Sequence, residues 1–277
     1  VAHNKSWAST YGNHDSQYNL SREALFLEEY KYVQSYTQHS PSGIPAVTNY
    51  YLTLFPHVKR FNETPIAILW FFDSQGGAEF QAPAGSEDIP NWVEPEIAAW
   101  FVTERTALSL RYGDLPSLAF VHIPPTAFFT VQNNLLPNAG VESTHFPGLN
   151  DDVPLAYEGS GWQDIPFMQA LVDTPLLHSV YSGHDHGDAW CGNWPTGVND
   201  TKNVSAPHVC FCKHTGYGGY GNWNRGARIL QLSFGNGKMD VETWVRMENG
   251  EVVQRVALNE TYGMDVYQLE DGENYSV

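Results

Sequence analysis

Leu176-Leu177-His178-Ser179-Val180-Tyr181-Ser182-Gly183-His184-Asp185-His186-Gly187-Asp188 is the stretch on which both fold and chemistry turn. Leu176 to Tyr181 reads as a short buried strand running into Gly183. The two imidazoles that follow, His184 and His186, stand one residue apart. Alternate residues of an extended segment share a side, so each ring can serve a different metal ion of a close pair. Imidazole suits zinc, iron and manganese (Zn, Fe or Mn). Taken alone, such a turn is equally a plain surface loop.

Two other places share the design of a strand that ends at a breaker beside a metal-ligand type of residue. One is Tyr11-Gly12-Asn13-His14-Asp15, and the other is Phe120-Val121-His122-Ile123-Pro124-Pro125. In open α/β sheets ligands collect at the carboxyl ends of strands, and glycine permits close backbone approach. Singly, the first is an ordinary turn and His122 an ordinary partly buried histidine. Three in this order are hard to obtain from core packing.

Working outward, Ser21 reads as the N-cap of a helix reaching about Tyr36. Ile66 to Phe72 reads as a buried strand ending at Asp73, and Ser74 to Asn91 as a surface loop. Pro95 at a first helical position opens a helix of roughly four turns ending near Gly113. Ser117 to Val121 is a strand stopped by Pro124-Pro125, and Gln163 to Val172 a helix. From Ala227 onward, Arg228–Phe234, Asp240–Met247 and Val252–Leu258 read as strands joined by turns at Gly235-Asn236-Gly237 and Asn249-Gly250. Strands alternating with helices and then a β meander predict an α/β sandwich. No linker or repeat divides the chain, so residues 1–277 read as one domain.

Asp and Glu total 31 against 14 Lys and Arg, a net charge of −17. Nucleic acids and anionic membranes bind mainly through Lys and Arg, so neither is expected as a partner. A phosphate substrate stays compatible, because bound dications reverse the local field. The longest apolar run, Ile66 to Phe72, is too short to span a bilayer. The chain starts at Val1 without Met, which reads as a processed or truncated product. Seven N-x-Ser/Thr sequons, at Asn4, Asn19, Asn62, Asn199, Asn203, Asn259 and Asn274, predict a glycosylated protein, secreted or vacuolar. Of the three cysteines, Cys191–Cys210 is the first choice for a disulfide, with Cys191–Cys212 nearly as good and three reduced thiols the alternative.

The three motifs resemble the later signature blocks of the calcineurin-like metallophosphoesterase superfamily: a Gly-Asn-His-Asp turn, a strand-end His and Gly-His-x-His. The closer resemblance is to its purple-acid-phosphatase-like secreted and vacuolar branch. It rests on His122-Ile123-Pro124, on Ser182 to His186 followed by Cys191-Gly192, and on Thr215-Gly216-Tyr217-Gly218-Gly219-Tyr220-Gly221. It spans about residues 8 to 247. The resemblance implies a four-layer α/β/β/α sandwich and a two-metal hydrolase of phosphate esters, monoesters more than diesters. Asn13, His122 and His184 would bind one ion and His186 the other. His14 would be the general acid for the leaving group, with Asp15 beside it, and a bridging hydroxide the nucleophile. Rivals are a non-catalytic secreted binding protein of the same fold and a zinc hydrolase of another bond.

The family also requires upstream Asp-x-His and Gly-Asp blocks, and only twelve residues precede Asn13. The expectation is that an N-terminal segment of the same precursor carries them as a partner; the alternative is an inactive fragment. The Gly216 to Gly221 string lacks the Lys-Ser/Thr of a nucleotide loop and reads as a tight loop near the site. Trp190, Trp194 and Trp223 are candidates for stacking a base or sugar, or are core anchors.

Overall fold

Parallel strands buried on both faces need near-continuous apolar sequence, and Ala67–Phe72 (AILWFF) supplies it at the centre of the molecule. A computed structural model of the chain describes residues 4–15, 19–56, 64–136, 144–150, 163–195, 206–218 and 221–268. The fold is mixed α/β. Its elements are α1 (Arg22–Glu29), β1 (Tyr50–Leu54), β2 (Ala67–Phe72), α2 (Pro95–Tyr112), β3 (Ser117–Val121), α3 (Thr126–Leu135) and α4 (Ile165–Val172). They continue with β4 (Leu177–Ser182), β5 (Cys191–Asn193), β6 (His208–Phe211), β7 (Gly226–Gly235), β8 (Lys238–Met247) and β9 (Val252–Leu258). Six strands form one sheet in the order β1-β2-β3-β4-β6-β5, and β7-β8-β9 form a second. In the first, β2, β3, β4 and β6 run parallel, while β1 and β5 close the edges antiparallel.

The sheet's two faces carry different cores. Ile68, Trp70, Phe72, Ala119, Val121, Val180, Val209 and Phe211 pack with the buried sides of α2, α3 and α4. On the opposite face Ala67, Leu118, Tyr181 and Cys210 meet Met239, Val241, Val256 and Leu258 of the second sheet. Across that face an aromatic ladder runs Tyr50, Phe71, Phe120, Tyr181, each ring stacked on the next at 4.6, 5.1 and 5.4 Å. These four are register partners on β1 to β4, so cross-strand stacking fixes the register. The parallel strand ends, and with them His122 and Gly183, consequently arrive at the same level.

Three layers are seen among the described residues: helices, six-stranded sheet, three-stranded sheet. The outer face of the second sheet carries exposed Asp240 and Arg246 and the Arg255–Glu242 ion pair, so the outer helical layer of a four-layer sandwich is not seen there. β7 is an edge strand. Among the described residues only its start is covered on the side away from β8, where Gly226 N–H donates to His214 C=O (3.0 Å) and Arg228 N–H to Cys212 C=O (3.1 Å). Leu230 and Leu232 beyond are half-buried over the inter-sheet core.

Some boundaries differ from the sequence reading. The first helix stops at Glu29, because that carboxylate accepts hydrogen bonds from Trp7, Ser9, Tyr11, Ser35 and Thr37. Residues 34–36 are meanwhile drawn into backbone bonds with Trp7. Among the described residues the segment before Asn13 forms no strand; its one bridge there is Trp7 to Ser35. α2 runs 18 residues, five turns rather than four, to the left-handed Gly113. α3 has no local capping signal. Its cap is Asp164, 38 residues on, which accepts from Thr126 N–H (2.6 Å) and Thr126 Oγ1 (2.9 Å).

Cys191 and Cys210 face each other across β5 and β6 and are bonded, while Cys212 is free; burial pushes its thiol up to about 11. Asn4, Asn19 and Asn259 are exposed, whereas Asn62, Asn199, Asn203 and Asn274 lie outside the described residues. No helix among the described residues is long and apolar enough to cross a membrane.

Phe72 is fully buried, edge-on to Phe101 (5.0 Å) and Phe167 (4.8 Å). Phe72→Ala should therefore lower unfolding free energy by about 3–5 kcal/mol in a denaturant titration. A loss under about 1 kcal/mol would mean this is not the main core.

Candidate metal centre

The site is built where β3 and β4 end. Gly183 N–H donates to His122 C=O at 3.1 Å, which joins the residue after β3 to the turn after β4. His184 then sits at φ +69°, a left-handed conformation uncommon outside glycine. Strain of this kind persists only where its surroundings impose it. Gly12 approaches so closely that a Cβ there would lie 3.0 Å from the His122 ring. The turn carrying Asn13 is thereby pressed against His122.

Three side chains from distant parts of the sequence meet. Asn13 Oδ1 lies 3.1 Å from His122 Nε2 and 3.3 Å from His184 Nδ1. The two imidazole rings are edge-on with centroids 5.3 Å apart. Ligand bonds of 2.0–2.1 Å to one ion set neighbouring donor atoms roughly 3.0–3.4 Å apart. Both distances from the Asn13 amide oxygen to the two imidazole nitrogens therefore match the donor spacing around a single transition-metal ion.

Of the supporting residues, the sequence places Asp15 beside His14 and Asp73 at a strand end, whereas it gives no role to Arg22 or Ser74. Arg22 is buried and donates to Gly12 C=O (3.0 Å) and Gly76 C=O (3.2 Å). It pins the Asn13 turn to the loop after β2. Asp15 Oδ2 accepts from Gly12 N–H at 2.7 Å. Ser74 Oγ accepts from Ile123 N–H at 3.0 Å. Asp73 is fully buried, accepts from Val47, Thr48 and Gln75 N–H groups, and orders the strand-end loops. The one local signal was their place at strand or turn ends; the cross-chain partners leave no trace in spacing.

His14 is exposed. A charge on its ring would be felt by both His122 and His184, which puts it in their neighbourhood. His186 is half-buried, and its charge also reaches both rings. Its stacking partner is His214, with centroids 5.1 Å apart and planes 10° from parallel. Among the described residues, no group of three or more His, Cys, Asp or Glu is placed to hold a metal ion. The reason is the composition of each half: two histidines and an asparagine in one, His186 with His214 in the other. Trp190 and Trp194 are core anchors, not stacking platforms. Tyr217 of the Gly-Tyr string is exposed, hydrogen-bonded to Glu248 and stacked under Arg225 at 4.2 Å.

No family model matches the chain, and no solved structure does. Two proteins of Arabidopsis thaliana do: "Probable inactive purple acid phosphatase 14", 25% identical over 268 residues (88% of this chain, 60% of its own length), and "Probable inactive purple acid phosphatase 29", 24% identical over 272 residues (90% and 63%). "Phosphatase DCR2" of Saccharomyces cerevisiae is 22% identical over 261 residues, 89% of this chain and 40% of its own length. The chain is thus a homologue, at 22–25% identity, of proteins named purple acid phosphatases and of a phosphatase, which is consistent with the metallophosphoesterase superfamily. It spans about 60% of the length of the two plant relatives, both of which are named inactive.

Burial, then His184, Arg22, His14 and His186, pushes the His122 imidazole down to about 3. Burial, then His14 and His186, pushes His184 down to about 4. Both folded values lie below the ordinary histidine value of about 6.5. In metal-free protein the unfolded chain therefore binds protons that the fold resists, and stability should fall as pH drops from about 6.5 towards 4. Imidazole NMR should show both rings neutral at pH 6; protonation of either ring with a midpoint above about 6 would contradict this account.

Proposed function

We propose that this chain carries one side of a two-metal phosphate-ester hydrolase site, in the C-terminal portion of a metallophosphoesterase domain. The observation that carries the reading is the Asn13 Oδ1, His122 Nε2, His184 Nδ1 trio with its 3.1 and 3.3 Å spacings. In this reading the trio holds one ion and His186 contributes to the second. A close pair of dications supplies water activation and charge neutralisation on the phosphate. The chain's own residues do the rest. His14, exposed above the centre on a turn held by Asp15 and Arg22, gives its proton to the leaving-group oxygen. Monoesters are preferred over diesters.

The remaining ligands come, in this proposal, from a preceding segment of the same precursor bearing the Asp-x-His and Gly-Asp blocks. Supporting it are the greater length of the relatives, the single bridge made by the segment leading to Asn13, and the edge of β7. The completed domain would have the four-layer architecture. Exposed Asn4, Asn19 and Asn259 and the Cys191–Cys210 bond support secretion with N-glycans; N-glycosidase treatment should lower the mass of the native protein, and an unchanged mass would remove this support.

A second reading, a binding protein that keeps the fold without turnover, is favoured by the names of the plant relatives. Metal analysis and aryl-phosphate hydrolysis of the native protein, with any co-purifying polypeptide, separate the two. In the enzyme, His14→Ala should lower kcat about 100-fold or more with metal content near normal. His184→Ala and Asn13→Ala should each deplete one ion. Two bound ions without hydrolysis would favour the binding protein, and unchanged metal in both ligand variants would remove the site assignment.

A further inference from the structure

His214 enters neither the core nor the Asn13 centre, yet it makes two contacts to one residue, His186. Its Nδ1 lies 3.1 Å from the His186 carbonyl oxygen. Its ring stacks on the His186 ring at 5.1 Å and 10°. A carbonyl can only accept, so Nδ1 carries the proton. The backbone of His186 and the plane of its imidazole are both set by one side chain, 28 positions further along the sequence.

His214 is itself fixed at its own backbone. The 212–214 segment is tied to the end of β4 by Cys212 N–H to Ser182 C=O (2.8 Å). It is tied to β7 by Arg228 N–H to Cys212 C=O (3.1 Å) and Gly226 N–H to His214 C=O (3.0 Å). Between them Lys213 takes φ +64° and is buried. The neighbouring carbonyl, Gly187 C=O, is likewise held from outside by Asn150 Nδ2 at 3.1 Å. The turn after His184 therefore has two consecutive carbonyls clamped by side chains of other segments. For a ligand ring, loss of such support costs roughly 10–100-fold in metal affinity.

We infer that His214 is the positioning residue for the second metal ion, holding His186 in ligand orientation through its carbonyl and its ring face. The inference rests on the two-metal reading above and adds a residue to it. It also gives the segment leading into the Gly-Tyr string a task, since His214 immediately precedes Thr215-Gly216-Tyr217.

The test is imidazole 15N NMR of the native protein, with any co-purifying polypeptide, stripped of metal and titrated with Zn²⁺ alone. In the wild-type chain the signals of His122, His184 and His186 should respond. His214→Ala should weaken the His186 response about 10-fold or more and leave those of His122 and His184 within about twofold. His214→Asn, which keeps a donor for the carbonyl but loses the ring, should recover part of it; His214→Phe, which keeps the ring and loses the donor, should fall between. A thermal transition unchanged across the variants separates positioning from unfolding, and the Asn and Phe variants keep the test open if the Ala variant does not fold. A His186 response indifferent to all three variants overturns the inference alone, as does a silent His186 beside responsive His122 and His184. Silence of every imidazole overturns the two-metal reading and this inference with it.

Discussion

One amide oxygen organises the centre. Asn13 Oδ1 is within hydrogen-bond distance of ring nitrogens on two histidines that follow different strands. Everything else in the neighbourhood serves that meeting. The aromatic ladder from Tyr50 to Tyr181 sets the strands in register; Gly12 lets the turn press on His122; Arg22 ties that turn to the loop after β2. Buried imidazoles are costly to charge, so the same packing that brings them together keeps them neutral, the state in which imidazole offers a lone pair to a metal.

The division of labour between halves is uneven. The Asn13 side is assembled from three parts of the chain and braced by Asp73, Ser74 and Arg22. The His186 side has its ring and carbonyl supported by His214 and, among the described residues, belongs to no group of three or more His, Cys, Asp or Glu placed to hold a metal ion. A chain related over nearly nine-tenths of its length to proteins that are themselves much longer is consistent with a site shared between this segment and another.

Much of the fold was legible from sequence because parallel strands announce themselves as apolar runs: Ala67–Phe72, Ser117–Val121 and Leu177–Ser182 lie where the pattern places them. The site was legible at its ligand-type residues, since Gly, His and Pro mark strand ends. What stayed hidden was tertiary. α3 draws its cap from Asp164, β5 and β6 are too short to show a period, and α1 is cut short by the side-chain network around Glu29. Arg22 and His214 act through backbone carbonyls of remote residues, and no spacing rule encodes such a bond.

The edge of β7 bears on how the chain behaves in isolation. Ten residues pair with β8 on one side, while on the other, among the described residues, only Gly226 and Arg228 find backbone acceptors. From Leu230 onward the strand meets no further backbone partner on that side among the described residues, beside half-covered leucines, and an uncovered edge of this kind templates the addition of further strands. Handled without a covering strand, the polypeptide has a built-in route to self-association that its strong negative charge opposes at low ionic strength and that salt, by screening that charge, releases.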